Sequence, residues 1–224
     1  GTNEFRGSAW EFIRNTSLNA VGFFKPTGGI KPVLIRNQFG FAFGGPIVRD
    51  RAFFFLDYEG FRQVSRSITF ASIPTLDQRK GILGKATRNP LTAETYGAQI
   101  PEGAITSFAR KVLADLPAPT RSGIANNFDS LPRRTDFFDK FDIKLDYQVS
   151  SKMSSFVRIS HRKMNNFEPP AIPGPSGGDS NAYVGALNQQ LAAGFTYALS
   201  TASLFEFRLG VSKTDAGKNG IGQG

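Results

Sequence analysis

Segments with one apolar and one ionic face, connections that alternate short with long, and a composition rich in glycine and phenylalanine predict an all-β fold. The expected architecture is a set of antiparallel up-and-down strands of a transmembrane β-barrel, about seven of them and part of a larger barrel, with long extracellular loops and one short loop helix. Among 224 residues, 24 are glycine and 22 phenylalanine, against two methionines and one tryptophan. Aromatic rings suit a pleated surface and glycine marks turns and close backbone approaches, so this mixture favours sheet over helix.

The first strand is expected over 4–14, its alternation blurred by Trp10, Phe12 and Ile13. Over 37–47, Phe39, Phe41 and Phe43 alternate with Gln38, Gly40 and Ala42. The polar turn Val48-Arg49-Asp50-Arg51 leads to a strand over 52–64, where Phe54, Leu56 and Tyr58 oppose Asp57, Glu59 and Arg62. The clearest pattern covers 135–148. Phe137, Phe141, Ile143, Leu145 and Tyr147 occupy odd positions, and Asp136, Phe138, Lys140, Asp142, Lys144 and Asp146 even ones. A helix would spread both sets around its circumference.

The turn Gln148-Val149-Ser150-Ser151 separates that strand from the next, 152–163, where Met153, Val157 and Ile159 oppose Ser154, Arg158, Ser160 and Arg162. A strand over 187–199 sets Leu187, Leu191, Phe195, Tyr197 and Leu199 against Asn188, Gln190, Gly194 and Thr196. After Ser200-Thr201-Ala202, residues 203–213 set Phe205, Phe207, Leu209 and Val211 against Glu206, Arg208, Gly210 and Ser212.

Long connections over 15–35, 66–133 and 165–186 alternate with the three short turns. Short periplasmic turns and long extracellular loops give an outer-membrane barrel this asymmetry. Within 66–133, Ile105, Phe108, Val112, Leu113 and Leu116 follow Pro101-Glu102-Gly103 at helical spacing and stop before Pro117, which predicts the loop helix. The loop 165–186 is rich in proline and glycine, including Pro173-Gly174-Pro175 and Gly177-Gly178-Asp179. A soluble or surface β-sandwich binding module, for carbohydrate for instance, would also give alternating strands. Its polar face would meet bulk water, whereas the Asp/Lys alternation of 136–146 suits a water-filled lumen in which opposite charges meet across strands.

The supply of chemistry is poor. There is no cysteine and a single histidine, His161, which excludes thiolate sites and multi-histidine metal clusters. His161 reads as an exposed rim residue at a strand end. Asp57 and Glu59 share a strand face but read as partners for Lys and Arg rather than a catalytic pair. Asp179 with Asn181 lacks the ligand pattern of an EF-hand loop. Gly40, Gly44 and Gly45 match no phosphate-cradling motif. No enzyme activity, catalytic residue, metal or cofactor is therefore expected. The net charge of +9 is scattered along the chain, so no nucleic-acid partner is expected.

The two faces define the candidate site residues. Asp57, Glu59, Lys140, Asp142, Lys144, Arg158, Glu206 and Arg208 are expected toward the lumen and a plug. Phe141, Ile143, Leu145, Phe195, Phe205, Phe207 and Leu209 are expected toward lipid.

Several stretches resemble the Oar-like family of TonB-dependent outer-membrane receptors. The opening Gly1-Thr2-Asn3-Glu4-Phe5-Arg6-Gly7-Ser8, followed by Glu11-Phe12-Ile13-Arg14-Asn15, is similar to that family's crossing from plug to first barrel strand, with Arg6 where histidine is common. Arg36-Asn37-Gln38-Phe39-Gly40, Gly44-Gly45-Pro46-Ile47, Phe53-Phe54-Phe55, Tyr58-Glu59-Gly60, Ile73-Pro74-Thr75 and Pro132-Arg133-Arg134-Thr135-Asp136 extend the likeness, as does the strand from Phe141 to Tyr147 running into Ser150-Ser151-Lys152. The resemblance implies a bacterial outer-membrane location and TonB-driven uptake of an extracellular ligand that it does not name. It also implies a plug and a TonB-contacting segment upstream and further strands downstream. Outer-membrane lipid, the plug and TonB are the partners so implied.

Overall fold

The computed structural model describes residues 1–20, 31–174 and 180–221. Eleven strands are described: β1 (Arg6–Asn15), β2 (Val33–Val48), β3 (Ala52–Arg66), β4 (Thr69–Ala71), β5 (Thr87–Arg88), β6 (Thr95–Tyr96), β7 (Phe128–Ser130), β8 (Arg133–Ser150), β9 (Met153–Glu168), β10 (Ala182–Ser200) and β11 (Ser203–Gly220). The long strands form one seven-stranded sheet in the order β1-β2-β3-β8-β9-β10-β11, each beside its predecessor in the meander. β1 pairs antiparallel with β2, Trp10 opposite Gly40, and β8 with β9, Ile143 opposite Ile159.

These strands outrun the alternating segments that announce them. β9 continues through Met164, Asn165 and Asn166 to Glu168, and β10 starts at Ala182 rather than 187. Ladder hydrogen bonds are made by backbone, so a strand persists where the side chains no longer alternate. The expected loops 15–35 and 165–186 shrink accordingly. Part of each, with Gly177, Gly178 and Asp179, lies outside the described residues. The turn expected at 148–151 also narrows. β8 runs to Ser150, and a register shift between Gln148 and Ser150 marks a bulge.

Glycine is required where β1, β2 and β3 meet. A Cβ on Gly40 would lie 2.4 Å from the Tyr58 carbonyl oxygen and 2.5 Å from Cζ2 of Trp10. The Trp10 ring is thus accommodated by a missing side chain on the neighbouring strand.

The burial pattern is inverted relative to a water-soluble sheet. Asp142 on β8 is 2% exposed, while its neighbours Phe141 and Ile143 are 38% and 42% exposed. Leu145, Phe205, Phe207 and Leu209 are exposed as well. Among the described residues the buried hydrophobics are Ile73, Phe128 and Ala182, and the remaining sheets have two strands each. The sandwich alternative required a second large sheet over this apolar face, and none is described. No helix among the described residues is long and apolar enough to cross a membrane, which says nothing of a β-barrel.

The chain divides into two compact units. The first comprises the seven-stranded sheet, and the second gathers residues 66–133, 168–182 and 220–224. In the second unit β4 pairs with β7 and β5 with β6. Among the described residues there are two α-helices instead of the one expected: α1 (Leu76–Arg79) and α2 (Ser107–Asp115). Four residues leave no periodicity to read, but α1 carries a reciprocal capping box between Thr75 and Gln78. On α2 the predicted apolar stripe is half-buried at Val112 and Leu113, whereas Phe108 is exposed. Arg79 donates to the carbonyls of Leu113 at 3.3 Å, Leu116 at 2.8 Å and Pro117, satisfying groups that the end of α2 leaves unpaired.

Asn127, fully buried, ties this unit together. It accepts from the Ile73 N–H at 2.9 Å and donates to the carbonyls of Ile73 at 2.9 Å and Gly123 at 3.1 Å. Asn127→Ala strands a buried donor and acceptor of Ile73, a cost of about 2–4 kcal/mol. Proteolysis of the folded protein is expected to accelerate within 66–133 while the sheet stays resistant.

Candidate functional site

Alternation places Asp57 and Glu59 of β3, Lys140, Asp142, Lys144 and Asp146 of β8, and Arg158 and Ser160 of β9 on one face of the sheet. At its centre, Arg158 donates to Oδ1 of Asp142 through Nη2 at 2.8 Å and Nε at 3.2 Å. The Ser160 hydroxyl donates to the same oxygen, and Lys140 Nζ stands 3.2 Å from Oδ2. Asp57 adjoins this group, with Asp142, Lys140, Arg158 and Glu59 as its charged neighbours. Glu59 accepts from Gln38 of β2 at 2.7 Å. Two cations and a hydroxyl thus converge on one buried carboxylate, the arrangement that burial of a charge demands. The face is concave here, with a volume of about 470 Å³ lined by Glu59, Lys140, Asp142, Arg158, Arg162 and Gln190.

Not every expected residue joins this cluster. Lys144 pairs with Asp146 at 2.8 Å on its own strand and lies over the Phe156 ring. Glu206 and Arg208 pair with each other on β11 at 2.5 Å. Sequence reasoning passed over Ser160 as a member, as well as Gln38, Arg36 and Gln63, which continue the polar row; Arg36 donates to Gln63 at 2.7 Å. Their signal is positional. Each falls on the strand face that the charges already define.

The opposite face is apolar and exposed. Phe195 packs against Phe205 and Phe207 with ring centroids 5.8 and 5.7 Å apart. Down the β8–β9 hairpin the pairs on this face are Phe141 with His161, Ile143 with Ile159, and Leu145 with Val157. Two expectations are corrected here. His161 is not a rim residue at a strand end, because β9 extends past it to Glu168; it stacks on Phe141 at 4.9 Å. Arg62 does not oppose Tyr58 but shares its face, since both occupy even positions of β3. Arg62 Nη2 and the Tyr58 hydroxyl each donate to Asp139 Oδ1 at 2.6 Å, and the guanidinium lies over Phe39 and Phe137 at 5.9 and 5.8 Å. Charge type pointed to the ionic face, but strand parity decided otherwise.

Asp139 stands opposite Lys163, immediately beyond the Phe141–His161 pair. From Tyr147 to Asp139 the strand rises about 26 Å, or about 20 Å of height at a tilt near 40°. That matches the order of the apolar band of an outer-membrane barrel, about 25 Å, bounded by aromatic and polar residues.

A sheet that exposes its apolar side over this height and turns its charges inward upon one another is the wall of a transmembrane β-barrel. The chain belongs to the outer membrane beta barrel domain family, which it matches over residues 1–224, and it resides in the bacterial outer membrane. No curated protein and no solved structure matches it.

Replacing Arg158 by Ala leaves the buried Asp142 carboxylate on Lys140 and Ser160 alone. Because Arg158 is half exposed, the expected cost is about 1–2 kcal/mol. Arg208→Ala, whose partner is an exposed residue of the same strand, is expected to change stability by less than about 0.5 kcal/mol. Thermal unfolding of the full-length protein in detergent, followed by heat-modifiable gel migration, checks both.

Proposed function

We propose that this chain supplies barrel wall and ligand-facing loops to a TonB-dependent receptor of the Oar-like type, which takes up an extracellular substrate with energy from TonB. The observation that carries the reading is the interlocked charge cluster around Asp142 on the face opposite the exposed apolar band. Such a surface suits a lumen that holds a plug and passes a polar solute.

In this reading Phe141, Ile143, Leu145, Phe195, Phe205, Phe207 and Leu209 meet lipid. Asp57, Glu59, Lys140, Asp142, Lys144, Arg158, Glu206 and Arg208 line the lumen and contact the plug. The segments 66–133 and 165–186 face outward. The first is a folded unit with capped helices and its own strand pairs, so it presents a defined surface to a ligand. The role is binding and translocation, with no bond-making chemistry, no cofactor and no nucleic acid.

The purified periplasmic domain of TonB is expected to form a complex with the full-length receptor, and the complex is expected to tighten when the correct substrate is added. Failure to bind TonB under any substrate condition, with the barrel folded, would remove the energy-coupled reading and leave a barrel of another kind.

A further inference from the structure

Lys140 of β8 and Arg162 of β9 stand directly opposite each other in the register, and so do Lys144 and Arg158. Like charges in facing positions destabilise a sheet. The second pair is relieved, because Lys144 holds Asp146 and Arg158 holds Asp142, each at 2.8 Å. In the first pair Lys140 turns to Asp142 at 3.2 Å, whereas Arg162 meets no carboxylate among the described residues. Its guanidinium lies instead over the Phe138 ring, 4.7 Å from the centroid, and Phe138 is itself stacked on Phe61 at 5.0 Å. That contact holds the side chain in place and consumes none of its N–H donors. Arg162 is exposed and lines the hollow of about 470 Å³ on the ionic face. The cations of that lining are Lys140, Arg158 and Arg162 and its carboxylates Glu59 and Asp142, which leaves one positive charge in surplus. Asp57 lies outside the lining and adjoins Asp142, Lys140 and Arg158.

We propose that this hollow seats a small hydroxylated carboxylate, a sugar acid or hydroxy acid, with its carboxylate on the Arg162 guanidinium beside Lys140. A single surplus charge matches a monovalent anion, whereas a phosphate carries about −1.5 to −2. The planar fork of N–H donors fits the two oxygens of a carboxylate. The neighbouring groups suit hydroxyls. Asn188 accepts from the Thr214 hydroxyl at 2.9 Å through its carbonyl, which leaves its amide N–H donors for a ligand. Glu59 accepts from Gln38 through one oxygen and keeps the other, and Gln190 lines the same wall. The volume is that of a site for one small molecule rather than for an element of protein. The inference names a substrate class for the uptake proposed above. It rests on the ionic face lining a lumen that a solute enters, but not on TonB as the driver.

The test uses the full-length protein in detergent. Glucuronate and glucose are titrated at matched ionic strength, and binding is read by isothermal titration calorimetry. Wild type is expected to bind glucuronate in preference to glucose. Arg162→Gln is expected to weaken glucuronate binding roughly tenfold to a hundredfold, and Arg162→Lys to restore it only in part, because an ammonium lacks the fork. Without added anion, Arg162→Gln is expected to unfold no earlier than wild type, since it relieves the facing charge of Lys140. Equal binding of the two sugars, binding of neither, or undiminished affinity in Arg162→Gln would overturn the proposal. So would an unfolding temperature of Arg162→Gln lowered as far as that of Arg158→Ala, which would assign Arg162 to a carboxylate elsewhere in the chain. Any of these results with TonB binding intact removes the substrate class alone, whereas loss of TonB binding leaves the glucuronate result standing.

Discussion

Backbone hydrogen bonding in a solvent that offers none is the constraint from which the rest of this structure follows. In the hydrocarbon of a bilayer an unpaired N–H or C=O costs several kcal/mol, so a chain crosses it as a helix or as a sheet whose strands are paired. This chain crosses as sheet, and the meander of long strands, joined alternately by tight turns and long connections, pairs each interior strand on both sides. Once the backbone is satisfied that way, side chains sort by face, because successive residues point in opposite directions. The result is an arrangement that water would reject: phenylalanine and leucine outward, a carboxylate buried among cations.

The ionic face solves a second problem created by the first. A charge withdrawn from bulk water is stable when counter-charges and donors surround it. Asp142 receives Arg158, Lys140 and Ser160 from two adjacent strands, so the cluster joins β8 to β9 through side chains as well as backbone. Arg62 and Asp139 apply the same logic on the other face, where aromatic rings flank the guanidinium. There the ion pair sits where the apolar ladder stops, a position that lets one polar group mark the boundary of the hydrocarbon.

Much of this was legible in the chain. The Asp/Lys alternation of 136–146 gives both the strand and its two faces, since no other secondary structure has a period of two. The spacing of Val112, Leu113 and Leu116 before Pro117 gives α2. Residue type misled where it was allowed to overrule position. Its charge groups Arg62 with the acids, although it lies an even number of residues from Tyr58. The cluster around Asp142 is half visible: its charges stand out by residue type, whereas Ser160 is marked only by its position on the face that Arg158 defines. Strand ends were illegible for a different reason. Beyond the bilayer neither face is selected for greasiness, so β9 and β10 continue through sequence that no longer alternates.

The central claim is that lipid and trapped water lie on opposite sides of one sheet. This chain has no native cysteine, so in the full-length protein, with any cysteine elsewhere replaced, single spin labels can be placed at Ile143→Cys, Lys144→Cys, Leu145→Cys and Asp146→Cys within lipid bilayers. Collision with dissolved oxygen reports lipid, and collision with a water-soluble nickel chelate reports aqueous access. The account predicts oxygen maxima at 143 and 145 and nickel maxima at 144 and 146. Uniform nickel access at all four positions, or the opposite phase, would contradict it.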